Sequence, residues 1–277
     1  MKKIIAITLA ALLALSMLAG CGASAPASSE APASDAPASD APASDAPVEP
    51  AALTTVEAGK LIMSTNAAFP PYEMTTDAGE FEGIDIEIAG AIAGKLGLEL
   101  QIDDMGFDAA QLAVQQGKSD IVMAGLSVTD DRLLVMDFSN SYATGIQVVI
   151  VKEGSDVTLD NLGEKMIGTQ RATTGNIYCT DDYGEEHVVA YENGITAVQA
   201  LVNGQVDCVV IDSAPAAEFV KANSGLTILD TEYVTEDYAI AVNKGNTALL
   251  EAVNNALAEL TADGTVQSII DKYISAE

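Results

Sequence analysis

Basic residues are scarce in this 277-residue chain: 12 Lys and Arg stand against 41 Asp and Glu, for a formal charge of −29. That balance excludes nucleic acid as a partner, because phosphate backbones are gripped by clustered Lys and Arg. It says little about a small ligand, since charges distant from a site are screened beyond ~8 Å at physiological salt. Histidine occurs once, as His187, and cysteine three times. With no Cys-x-x-Cys and no His-rich pair, zinc and redox chemistry have almost no ligands, and neither a metal nor a cofactor is expected. Cys179 and Cys208 are too few for a disulfide framework. Cys208, inside the apolar run VDCVVI, reads as a small buried hydrophobe, and a single Cys179–Cys208 bridge stays open.

The chain begins with Met1-Lys2-Lys3, then IIAITLAALLALSMLA, then GCG. A basic start, a short apolar run and small residues at its end predict an export signal over residues 1–20. A membrane span is the competing reading, but the run falls short of ~20 apolar residues and lacks a second charged flank. Leu18-Ala19-Gly20-Cys21 resembles the bacterial lipobox, which implies that Cys21 is lipidated and becomes the first mature residue. Several acyl chains on one cysteine hold a protein stably at a membrane, so the outer face of the cell membrane is the expected location. Loss of the signal removes two lysines and no acid, so −29 becomes −31. From Gly22 to Pro50 a five-residue Pro-Ala-Ser-Asp repeat offers nothing to bury. Residues 21–56 are therefore read as the lipidated cysteine and an extended, semi-rigid linker.

About 225 residues remain, enough for one large domain or two ordinary lobes. Short apolar runs alternate with helical patterns: LIMST, then Asp85 to Leu96 stopped by Gly97, LELQI, Asp108 to Gln116 stopped by Gly117, and DIVMAGLS. Glycine just past a helical pattern is the expected stop. Strands alternating with helices predict parallel strands in an α/β sheet. The second half repeats the rhythm through KMIGTQ, a helix from near Thr174, HVVAY, a helix over Ile195 to Asn203 stopped by Gly204, and VDCVVID. The echo between AVQQGKSDIVMAGLS and AVQALVNGQVDCVVIDS predicts two similar lobes. Lobe 1 is expected over residues 57–142 and 237–277 and lobe 2 over 146–232. Crossings at 143–145 and 233–236 form a hinge in which few backbone torsions need change. Helices over Thr247 to Asp263 and Thr265 to Ile274 are expected to return to lobe 1.

Ligands of open α/β sheets sit beyond the carboxyl ends of the strands, which points to Ser127 and Thr129 in one half and Asp212 in the other. Arg132 follows Ser127 closely, and its planar fork suits a carboxylate. QRATTGN places Thr173, Thr174 and Gly175 at a strand-to-helix turn that favours an anion, whereas Asp212 accepts from an ammonium. Two anion-seeking elements and one carboxylate match the two charges of a free amino acid. Each residue also has a plainer reading. Arg132 could pair on the surface with Asp130 or Asp131, Thr174 could merely cap a helix, and Asp212 could cap the helix beginning near Ser213.

The stretches STNAAFPPYEM, GEFEGIDIEIAGAIAGKLG, GFDAAQLAVQQGKSDIVMAGLSVTDDR and DFSNSY resemble the polar amino acid family of ABC transporter solute-binding proteins. The resemblance covers about residues 57 to 274, with SVTDDR and FEGIDIEIA its most specific pieces. It implies a two-lobed type II periplasmic binding protein fold and, in Gram-positive members, a lipoprotein, consistent with Cys21. It puts the family's carboxylate-binding arginine on Arg132 with a companion serine on Ser127, and the second-lobe carboxylate donors on Thr173 and Thr174. The ammonium-binding aspartate falls on Asp212, a carbonyl offered to the ammonium on Gly125, and aromatic walls on Phe69 and Phe107. As bare residues both phenylalanines would be read as core. Members that bind basic amino acids often carry an aspartate where Asn66 stands. The neutral amide weakens a lysine or arginine assignment and fits glutamine as well, while aromatic faces still suit a cationic or planar side chain.

The expected protein is thus a monomeric, lipid-tethered receptor without catalytic residues, which closes on one polar or basic amino acid and delivers it to a membrane permease. Two rivals share the scaffold. An exported dehydratase-type enzyme would need a positioned acid or base; His187, opening HVVAY, is a poor candidate, while Glu73 and Asp212 remain available. A sensor would bind the same ligand and signal to a receptor partner.

Overall fold

The computed structural model describes residues 53–230 and 232–274; the export signal, Cys21 and the repeat linker lie outside the described residues. β1 (Lys60–Thr65) leads through a small meander of β2 (Ala68–Phe69), β3 (Glu73–Thr75) and β4 (Phe81–Glu82) into α1 (Ile84–Leu96). β5 (Glu99–Asp104), α2 (Phe107–Gln115), β6 (Ile121–Val122) and the short α3 (Asp130–Val135) follow. The 17-residue β7 (Met136–Lys152) then crosses to the second half. That half holds β8 (Ile167–Gln170), α4 (Thr174–Tyr183), β9 (Val188–Tyr191), α5 (Gly194–Val202), β10 (Cys208–Asp212), α6 (Ser213–Ala222) and β11 (Leu226–Ile228). β12 (Val234–Asn243) returns, and α7 (Thr247–Ala262) and α8 (Thr265–Tyr273) pack on α1.

The strand order is β5-β1-β6-β12-β7-β10-β8-β9, with β11 added to β7. β1 pairs in parallel with β5 and β6, and β8 in parallel with β10 and β9. Between these two parallel groups β7 and β12 run antiparallel to each other. The fold is a mixed α/β architecture of two lobes sutured by a two-stranded ribbon. Parallel strands covered by helices on both faces read as unbroken apolar runs, and all five residues of β10 are buried.

Each lobe carries the local signals its elements need. α1 buries Ile84, Ile88 and Ile92 on one stripe and ends at Gly97, whose φ of 69° supplies the left-handed cap. Asp85 lies on the same buried stripe, a polar residue where periodicity demands an apolar one. α5 opens with a reciprocal capping box between Asn193 and Thr196. Cys179 and Cys208 are buried free thiols, which answers the question of a bridge between them.

DIVMAGLS departs from expectation. Only Ile121 and Val122 join the ladder, because Gly125 turns the chain at φ +54° and gives its N–H to Asp85. Ser127 rejoins through a single bridge to Tyr238. α3, the β2–β3–β4 meander and β11 were not legible as separate elements.

Candidate functional site

Arg132 lies in the first turn of α3, whose N-cap Thr129 accepts from the Arg132 backbone N–H at 3.2 Å. Thr129 is thereby a capping residue and does not line the cleft. The Arg132 side chain folds back to donate to the Ser127 carbonyl from Nη1 at 2.8 Å and to the Ala172 carbonyl from Nη2 at 3.0 Å. Its guanidinium sits 5.5 Å from the Phe107 ring centre. It is only 7% exposed, and among the described residues no ion pair joins it to Asp130 or Asp131. Burial pulls its pKa down to about 10 against an opposing pull from Glu236, so it stays cationic at neutral pH.

The facing lobe supplies the start of α4. Thr173, rather than Thr174, is the cap: its hydroxyl accepts from the Asn176 N–H and donates to the Gln170 carbonyl. Thr174 Oγ1 donates to Glu236 at 2.7 Å and lies 3.4 Å from Ser127 Oγ. The N–H groups of Thr174 and Gly175, in the first turn, have no partner within the helix. Asp212 both faces the cleft and caps α6, accepting from Ala214 N–H at 3.0 Å and from Ile146 N–H at 2.8 Å. Burial pushes its carboxyl up to about 6.

These groups surround one cleft. Phe69, Phe107, Gly125, Ser127, Arg132, Thr173, Thr174 and Asp212 all line it. Phe69 and Phe107 also belong to the apolar cores, so the packing and wall roles coincide. Gly125 is required as glycine, since a Cβ there would stand 2.8 Å from the Phe69 ring. Asn66 is set behind the lining. Its Nδ2 donates to the Met105 carbonyl at 2.8 Å and its Oδ1 accepts from Gln170 Nε2 at 3.0 Å. Its amide is thus spent on a bond between the two halves.

Sequence reasoning missed Gln170, Gln147 and Tyr238 as lining residues, and considered Glu73 only as an alternative acid. Gln170 ends β8 and was accessible by the same strand-end rule that singled out Asp212. Glu73 had no such signal. It is fully buried, and burial first, then the nearby Asp85 charge, hold its carboxyl well above the usual range. Glu236, on β12, accepts from Thr174, from Gln147 Nε2 at 3.2 Å and from Tyr178 OH at 3.2 Å. At the rim Arg171 pairs with Glu192 and stands 3.5 Å from Asp108 of the other half. Among the described residues no group of three or more His, Cys, Asp or Glu is placed to hold a metal ion.

The model of bacterial extracellular solute-binding proteins, family 3, matches residues 61–276. The chain belongs to that family. It is 33% identical over 235 residues to a probable histidine-binding protein of Neisseria gonorrhoeae, covering 82% of this chain and 88% of the relative. It is also 33% identical over 221 residues to ABC transporter arginine-binding protein 1 of Escherichia coli K12, covering 78% and 91%. A solved ancestral arginine-binding protein bound to glutamine superposes with a TM-score of 0.75 at 38% identity, over 79% of this chain and 99% of that one. This family 3 protein therefore shares its fold with two-lobed amino-acid-binding proteins, and its relatives are solute-binding proteins of ABC transporters rather than enzymes.

Proposed function

We propose that this protein captures one free L-amino acid between its lobes and delivers it to an ABC importer, while held at the outer face of the membrane by lipidated Cys21. The observation that carries this reading is the convergence of Arg132, the α4 N-terminus and Asp212 on one cleft. Arg132 and Ser127 on one side and Thr174 on the other would take the α-carboxylate. Asp212 and the Gly125 carbonyl would take the ammonium. A ligand that touches both lobes binds the shut form more tightly than the open one, and so drives closure.

The far end of the cleft favours a basic side chain. Gln170 Oε1 is buried without a hydrogen-bond partner, and Glu73 presents a buried carboxyl. Acceptors left unpaired in an apolar surround cost about 1–3 kcal/mol each, which an N–H-rich cationic side chain would recover. Since Asn66 is occupied elsewhere, its neutrality no longer weighs against lysine or arginine.

The lobes would turn about the ribbon. Tyr233 N–H bonds the Gln147 carbonyl and Glu236 bonds lobe 2 side chains, whereas the Asp237 carbonyl accepts from Val128 N–H in lobe 1. The proposed pivot is therefore Glu236–Asp237 against Gly145–Thr144, the pairs that face each other in the ladder.

Calorimetric titration with the twenty amino acids, cystine and ornithine, after unfolding and refolding to strip co-purified ligand, tests the reading. Micromolar or tighter binding of a basic or polar amino acid, recovered chemically unchanged, is expected. No binding, or conversion of the ligand to a product, would overturn it.

A further inference from the structure

Behind the cleft lies a buried acid pair. Glu73, on β3, and Asp85, on α1, are both fully buried. Asp85 N–H donates to the carbonyl of Tyr72, the residue before Glu73, at 2.8 Å, and the Asp85 charge acts on Glu73. Asp85 Oδ2 accepts from Gly125 N–H at 2.8 Å. Asp85 Oδ1 and both Glu73 oxygens are buried without a hydrogen-bond partner. The groups that act on the pair from neighbouring elements are Asp104 of β5, Asp212 of β10, the Tyr142 hydroxyl of β7 and that of Tyr72. The charges acting on Glu73 are negative ones.

Two carboxylates so placed cannot both stay ionised without a counter-charge, and the pair titrates as a unit with one proton held strongly. Burial is the first cause that raises each, with Asp85 carried to about 6. Only Glu73 of the two lines the cleft.

Resting on the basic-ligand reading above, we propose that Glu73 and Asp85 share one proton in the unliganded protein, and that a cationic amino acid side chain displaces it to solvent, making capture a cation-for-proton exchange. The positive side chain takes the place of the proton beside Glu73, so the pair ends doubly ionised and neutralised by the ligand. A neutral side chain leaves the proton where it is. The same site would then favour arginine or lysine over glutamine progressively more as pH rises.

Calorimetry of the full chain in buffers of different ionisation enthalpy, with arginine and glutamine as probes from pH 5 to 8, tests this. Comparing the two ligands cancels the titration of Asp212, which faces the ammonium common to both. Arginine is expected to release roughly one proton more than glutamine near pH 6. The arginine-to-glutamine affinity ratio should climb by up to about tenfold per pH unit below the upper apparent pKa of the pair. Glu73→Gln should abolish both differences, and Asp85→Asn should move the climb to lower pH. Arginine binding with no excess proton release, or a ratio flat with pH, would overturn the exchange while leaving the amino-acid receptor reading intact. Failure of arginine and lysine to bind at any pH would remove the exchange and the basic-ligand reading together, and the receptor reading would fall only if glutamine and the other amino acids also failed to bind.

Discussion

The two ends of the cleft differ in how they are furnished. At the end assigned to the α-carboxylate and ammonium, the polar groups already have partners. Arg132 donates to two carbonyls, Thr174 to Glu236, and Asp212 accepts from two backbone N–H groups. At the end assigned to the side chain, Glu73 and Gln170 keep buried acceptors without donors. A pre-paired end is held rigid and can recognise what all amino acids share. An end with acceptors in want of donors selects among side chains.

Breaking the first end should cost most and should not discriminate. Arg132→Ala is expected to weaken every amino acid that binds by about 2–5 kcal/mol, roughly 30-fold to several-thousand-fold in calorimetric affinity. A loss confined to one side-chain class would put the arginine at the wrong end. Acid should also act on the first end. The Asp212 carboxyl stands near 6 because burial raises it. It therefore protonates as pH falls through 6, and its hold on an ammonium is lost. Glutamine, which leaves the Glu73 proton in place, should bind about tenfold more weakly at pH 5 than at pH 7, and Asp212→Asn should flatten that profile.

Smaller changes probe what lies between and around the ends. Asn66→Ala removes the bond to Gln170 and should cost about 0.5–1.5 kcal/mol, roughly two- to tenfold in affinity. The loss should be greater for arginine than for glutamine, because Gln170 is left free to turn. Asp108→Asn at the exposed rim should cost at most about 1 kcal/mol. Its effect, read as a faster dissociation rate in stopped flow, should vanish at 1 M salt, where the screening length is ~3 Å.

Much of this plan was legible in the sequence because it depends on local signals. Glycine stops, apolar runs and the echo between the two halves mark out most of the helices and strands. Strand ends point to Ser127, Thr129 and Asp212 and spacing to Arg132, and of these only Thr129 stays out of the cleft, as the cap of α3. What escaped depends on contacts between distant segments. DIVMAGLS is apolar throughout, yet nothing local reveals that the Gly125 N–H turns to Asp85 and ends the ladder after Val122. The occupation of Asn66 by Gln170 joins residues 104 positions apart. Glu73 escaped because folding alone buries it at the cleft, a relation that no spacing rule expresses.

A Cβ on Gly145 would stand 2.4 Å from Cζ of Tyr238, whose ring also faces the cleft. The bare backbone at 145 lets the Tyr238 ring come close against β7 while it also lines the cleft. In the proposed closure, a ligand in the cleft would meet the same ring that packs against the proposed pivot, so occupancy and rotation would be felt by a single side chain.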